Sequence, residues 1–168
     1  MTLDTAVTGG GGAVAVTLPR PEDTAALGRA LGGVLEPGDL VVLAGPLGAG
    51  KTVLVQGIGA GLGVPGRITS PTFVLARVHR GGRLPLVHVD AYRLGSVEEV
   101  DDLDLDADLG SSVTVVEWGS GLVEQLSDAH LLVRLARAED SEERTATLEP
   151  SGGTWAERLA RPGVSARS

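Results

Sequence analysis

The chain has 168 residues, enough for one domain around a single core, with the 42% apolar and 21% charged composition of a soluble globular protein. It has no cysteine, which excludes disulfides, thiol catalysis and zinc–thiolate sites and fits a reducing, cytoplasmic setting. A net charge of −8 argues against an unaided grip on RNA or DNA, whose phosphates call for a basic face.

The first positive side chain is Arg20, and no apolar run approaches ~18 residues, so neither a signal peptide nor a membrane span is expected. Residues 1–12 end in four glycines and read as a flexible tail. Residues 13–18 alternate weakly, as a strand would. From Pro21, Leu27, Leu31, Val34 and Leu35 recur at helical spacing. A Pro37-Gly38-Asp39 turn leads into Leu40-Val41-Val42-Leu43-Ala44, a continuous apolar run expected of a strand buried on both faces. A glycine-rich loop follows, then a helix over 52–58 that Gly57, Gly59 and Gly61 should weaken in its later part.

Two strand-like runs, 73–78 and 84–89, flank Arg80-Gly81-Gly82-Arg83, whose Gly-Gly pair predicts an antiparallel hairpin. Seven carboxylates crowd residues 98–108 without the spacing of a calcium loop and read as a solvated face. Residues 113–116 form another buried-strand run. Residues 131–135 and 145–148 read as strands around a polar turn at 139–143, and 155–159 as a short terminal helix. The expected organisation is a single α/β domain over 13–160, with tails at 1–12 and 161–168. Its sheet should be mixed parallel and antiparallel, flanked by helices.

The run Gly45-x-x-x-x-Gly50-Lys51-Thr52 satisfies the phosphate-cradling P-loop pattern, between a buried strand and a helix. Glycines let successive backbone N–H groups turn toward phosphate oxygens, and the new helix points its positive end at the same place. Leu47, Gly48, Ala49, Gly50, Lys51 and Thr52 are therefore the candidate nucleotide-binding residues. Lys51, the only lysine in the chain, would supply the ammonium to the β- and γ-phosphates. The Thr52 hydroxyl is a hard oxygen suited to magnesium.

Such a loop also needs a carboxylate at the end of a neighbouring strand. Asp90 follows Leu86-Val87-His88-Val89, and Glu117 follows Val113-Thr114-Val115-Val116. In an open α/β sheet, ligands sit beyond the carboxyl ends of the strands, so both are candidate catalytic and metal-linked groups. The guanine-reading Asn-Lys-x-Asp pattern is impossible with Lys51 as the only lysine, and no Asp-x-x-Gly switch occurs, so ATP is the expected nucleotide.

Four blocks now stand in order: the loop ending in Lys51-Thr52, Ser70-Pro71-Thr72-Phe73, His88-Val89-Asp90-Ala91-Tyr92-Arg93-Leu94, and Glu117-Trp118. Together they resemble the bacterial TsaE (YjeE) family of small P-loop ATPases in tRNA threonylcarbamoyladenosine biosynthesis, over residues 22–144. The resemblance implies ATP and Mg2+ as cofactors and partners similar to TsaD and TsaB, with tRNA met only through that complex. It implies that Lys51 and Thr52 bind phosphate and magnesium, and that Ser70 and Thr72 lie in a switch-like loop sensing the γ-phosphate. Asp90 would be the magnesium-site carboxylate at a strand end, and Glu117 a magnesium-linked carboxylate that helps position water. Phe73, Tyr92, Arg93 and Trp118 would belong to switch or partner surfaces, and residues 22–24 and the region around Arg144 to the adenine side.

Plainer readings stand beside these: Phe73 and Tyr92 as core, His88 as a half-buried strand residue, and Trp118 as packing. Pro46 stands where the family usually has aspartate, and its side chain should face outward, so a partner contact rather than nucleotide binding is in question. Hydrolysis by the chain alone is expected to be slow, because the motif blocks contain no arginine finger. The rival readings are a small-molecule kinase with Arg77, Arg80 and Arg83 as a phosphate-clamping lid, and a nucleotide-gated binding module.

Overall fold

A computed structural model describes residues 5–7, 13–45, 50–65, 76–90, 110–117 and 129–159. In chain order the strands are β1 (Thr5–Val7), β2 (Val14–Leu18), β3 (Leu40–Ala44), β4 (Ala76–His79), β5 (Leu86–Asp90), β6 (Val113–Glu117), β7 (His130–Arg137) and β8 (Arg144–Ser151). The described helices are α1 (Pro21–Val34), α2 (Lys51–Leu62) and α3 (Trp155–Leu159).

Among the described residues one sheet carries eight strands in the order β1-β2-β8-β7-β3-β6-β5-β4. Its centre is parallel: β3 lies between β7 and β6, and β6 pairs with β5. Both flanks are antiparallel, with β4 on β5 at one side and β8, β2 and β1 at the other. This is the mixed α/β architecture expected from the sequence. Thr5–Val7 departs from that expectation. These residues fall within the stretch read as a tail, yet they pair with β2, because the edge of β2 offers backbone groups that a short extended segment can satisfy.

Alternation along the central strands sorts their side chains between two faces. Val41, Leu43, Val113, Val115, Leu86, Leu131 and Val133 join Leu27, Leu31, Leu54, Val55, Ile58 and Trp155 in one core, so the three described helices cover this face. Leu40, Val42, Val116 and Val89 on the other face are also fully buried. Continuous apolar runs in β3 and β6 are thus the consequence of burial on both sides.

Helix α1 starts at Pro21, with Asp23 Oδ2 accepting the Arg20 backbone N–H at 3.0 Å. Helix α2 does not weaken after Ile58 but runs on to Leu62. Its glycines are contact points: a Cβ on Gly57 would lie 2.3 Å from Ala25 O, and one on Gly61 would lie 2.4 Å from Arg29 O. Tertiary contact with α1 overrides the low helix propensity of glycine. The helix then ends at Gly63, where the Gly63 and Val64 N–H groups close onto Ala60 O and Gly59 O.

The β4–β5 hairpin forms as expected, with β4 ending at His79 and β5 running from Leu86 to Asp90. Arg83 donates to Gly32 O at 2.8 Å and Leu35 O at 2.9 Å, capping the end of α1, and its backbone N–H donates to Leu62 O at the end of α2. This turn therefore lies against the far end of α2, about 17 Å along the helix from Lys51. The reading of Arg77, Arg80 and Arg83 as a lid over the phosphate loop is corrected accordingly. The Arg83 guanidinium serves helix carbonyls at the opposite edge of the sheet.

Candidate nucleotide site

The carboxyl ends of β3, β5 and β6 share one edge of the sheet. Register sets Asp90 opposite Glu117, and Glu117 opposite Leu43. Two residues beyond Leu43, about 7 Å further along the strand direction, stands Gly45, the first residue of the glycine loop. The loop ends at Gly50, the N-cap of α2, in left-handed backbone at φ 101° that favours glycine. Lys51 opens the helix and folds back, its Nζ donating to Gly45 O at 2.9 Å while only 7% exposed. The single ammonium of the chain thus spans the two ends of the loop, beside the positive end of α2.

Glu117 follows Val113 and Val115 at a spacing of two, which turns it to the face that α2 covers. Glu117 is 6% exposed. Oε2 lies 3.0 Å from Nε2 of His88, a ring with no exposure at all. The other ring nitrogen, Nδ1, is buried with no hydrogen-bond partner among the described residues. His88 is therefore a fully buried partner of Glu117, not the half-buried strand residue expected. The signal was present in the sequence, since His88 stands two residues before Asp90. Only the β5–β6 register turns that spacing into a contact.

Gly50 also has neighbours from distant parts of the chain. A Cβ there would lie 3.2 Å from Arg144 Nε, 3.3 Å from Arg144 Cδ and 3.8 Å from Thr24 Cγ2. Arg144 also donates to Glu142 O at 2.8 Å. The two segments that the resemblance marks for the adenine side thus meet at the end of the loop. Thr24 Oγ1 is buried there without a hydrogen-bond partner among the described residues.

The structure brings together Gly50, Lys51, Glu117 and the backbone of Asp90, with Thr52 one residue into α2. Leu47, Gly48, Ala49, Ser70, Thr72, Phe73, Tyr92, Arg93 and Trp118 lie outside the described residues, as do Pro46 and the acidic stretch 98–108. The Thr52 hydroxyl and the Glu117 carboxylate are hard oxygen donors of the kind magnesium takes alongside phosphate oxygens, so the donor chemistry fits that ion. Among the described residues no three His, Cys, Asp or Glu side chains form a metal-holding group.

A glycine loop between a buried parallel strand and a helix, with a carboxylate at the end of the adjoining strand, defines a P-loop NTPase-like α/β protein. The sequence model of the family described as "Threonylcarbamoyl adenosine biosynthesis protein TsaE" matches residues 18–146. A Mycobacterium tuberculosis protein named tRNA threonylcarbamoyladenosine biosynthesis protein TsaE is 57% identical over 150 residues, covering 84% of this chain and 88% of its own length. The Bacillus subtilis protein of the same name is 40% identical over 123 residues, covering 73% and 77%. The crystal structure of Bacillus subtilis YdiB superposes with a TM-score of 0.70 at 32% identity, covering 90% of this chain and 94% of that one. The chain belongs to the TsaE family.

Proposed function

We propose that this chain is the magnesium-dependent ATPase subunit of tRNA threonylcarbamoyladenosine biosynthesis, working with a transferase pair similar to TsaD and TsaB. Its place in that pathway follows from membership of a family named for it. The observation that carries the ATPase reading is the convergence of Lys51, at the end of the glycine loop, and Glu117, at the end of the neighbouring parallel strand, on one face of the sheet.

In this reading the backbone of Leu47, Gly48, Ala49 and Gly50 cradles the phosphates, and the Lys51 ammonium exchanges Gly45 O for phosphate oxygens. Thr52 and Asp90 hold magnesium. That ion, when bound, offsets the charge on the transferring phosphoryl group. Glu117 orients the attacking water. Ser70 and Thr72 sense the γ-phosphate, and Phe73, Tyr92, Arg93 and Trp118 carry the state of the site to the partners. Arg144 and Thr24, beside Gly50, border the nucleoside end.

The net charge of −8 suits a subunit that leaves the tRNA to its partners. Among the described residues no helix is long and apolar enough to cross a membrane, in keeping with a cytoplasmic place of work. The ATP cycle resets the transferase rather than forming the threonylcarbamoyl group, and turnover by the chain alone is slow.

Phosphate release from ATP, measured with the chain alone and with the purified transferase pair, tests this reading. Stimulation by the pair is expected. ADP formation that depends on a small-molecule acceptor and ignores the pair would overturn it in favour of a kinase.

A further inference from the structure

We propose that His88 is the positioning residue for Glu117, holding one carboxylate oxygen from the neighbouring strand so that the other is presented to the nucleotide site. The inference rests on the role given to Glu117 above and adds a residue that acts through it.

The pair is diagonal across two parallel strands. His88 registers with Val115, and Asp90 with Glu117, so His88 reaches forward by two residues to meet the carboxylate. Its Nε2 lies 3.0 Å from Oε2, and a ring carrying hydrogen on Nε2 donates to a carboxylate, which only accepts. Both groups are enclosed, the ring at 0% and Glu117 at 6% exposure, so water does not substitute freely for the contact. A buried ring has few rotamers open to it, and the oxygen it holds is fixed with it.

A purely structural role explains less. The β5–β6 ladder already has five register pairs from Leu86 to Asp90, so these strands do not need a side-chain bond to stay together. Two apolar residues of similar shape would fill the same space without desolvating a carboxylate. Among the described residues Nδ1 has no hydrogen-bond partner, and the ring's one hydrogen bond is to Glu117. An imidazole hydrogen-bonded to a carboxylate at the end of a central strand matches the outer-shell groups that orient first-contact ligands in metal–phosphate sites.

The test compares the parent chain with His88→Leu, His88→Gln and Glu117→Gln, each first checked for fold by circular dichroism and thermal melting. His88→Leu is expected to lower ATP turnover in the presence of the transferase pair by about 10- to 100-fold, the usual effect of removing such a supporting bond. Its affinity for ATP with magnesium should stay within about threefold of the parent. His88→Gln, whose amide reaches the position of Nε2 and donates, should recover most of the lost turnover. In the nucleotide-free chain, the nitrogen-15 resonance of His88 Nε2 should move in Glu117→Gln.

Turnover of His88→Leu within twofold of the parent would overturn the proposal, as would a loss of binding equal to the loss of turnover or a failure of glutamine to restore activity. If the parent itself hydrolyses no ATP with or without the pair, the ATPase reading fails instead. The ring resonance then decides separately whether His88 holds Glu117, an unmoved signal overturning the contact itself.

Discussion

Arg158 of α3 holds Asp39, 119 residues earlier, through both carboxylate oxygens, with Nη2 3.0 Å from Oδ1 and Nη1 on Oδ2. The guanidinium also donates to Val34 O at the end of α1, pairs with Glu36 and lies 4.0 Å over the Trp155 ring. Asp39 in turn accepts the Glu36 N–H. One buried ion pair thus ties the terminal helix to the turn that launches β3. Arg158→Met leaves Asp39 buried and unpaired and should cost about 3–5 kcal/mol in urea unfolding. ATP affinity of the remaining folded protein should be unchanged, because Asp39 precedes β3 at the end opposite the loop. Loss of less than about 1 kcal/mol would show that solvent reaches the pair.

Gly57→Ala should destabilise, although alanine is the better helix former by about 1 kcal/mol. Its Cβ would lie 2.3 Å from Ala25 O and 3.0 Å from Gly28 Cα, and overpacking of that kind costs about 1–3 kcal/mol. Gly33→Ala is the contrasting case, since a Cβ there meets nothing within 4 Å, and it should stabilise. Opposite signs in the two melting temperatures would confirm that contact with the neighbouring helix decides the outcome. Equal signs would contradict it.

Binding and turnover should separate at two residues. Lys51→Ala removes the ammonium that spans the loop and is expected to abolish detectable ATP binding in calorimetry. Glu117→Ala should leave binding largely intact and stop phosphate release. Normal hydrolysis by Glu117→Ala would show that another group orients the water.

His79 adds a dependence on pH. Burial, then the neighbouring His88 and Arg77, holds its pKa below the ordinary imidazole value. Above about pH 6.5 the ring is neutral in folded and unfolded chains alike, and its contribution to stability is complete. As pH falls through that value the unfolded chain takes the proton first, and stability declines until the folded-state pKa is passed. His79→Gln should therefore lose less unfolding free energy between pH 7 and pH 5 than the parent. An identical loss would mean that His79 is protonated as readily when folded.

Much of the frame was legible because burial on both faces writes itself as uninterrupted apolar sequence. Leu40 to Leu43 and Val113 to Val116 announce β3 and β6, and the glycine pattern between β3 and α2 announces the loop. Helix α2 beyond Ile58 was not legible, since its glycines argue against a helix until α1 is known to lie on them. The meeting of Arg144 with Gly50 and of His88 with Glu117 depends on strand order and register, which separation along the chain does not encode. Thr5–Val7 was read by its glycine-rich surroundings, although the free edge of β2 decides its conformation.

Helices that meet through side chains have slack, because a rotamer change lets one creep along the other. At Gly28, Gly32, Gly57 and Gly61 the backbones themselves touch, and there is no rotamer to change. A contact of this kind holds or jumps, but does not slide by small steps. The helix that begins at Lys51 is therefore an anchored mount. In the proposed ATP cycle, α1 and α2 are expected to move as one body, if they move at all.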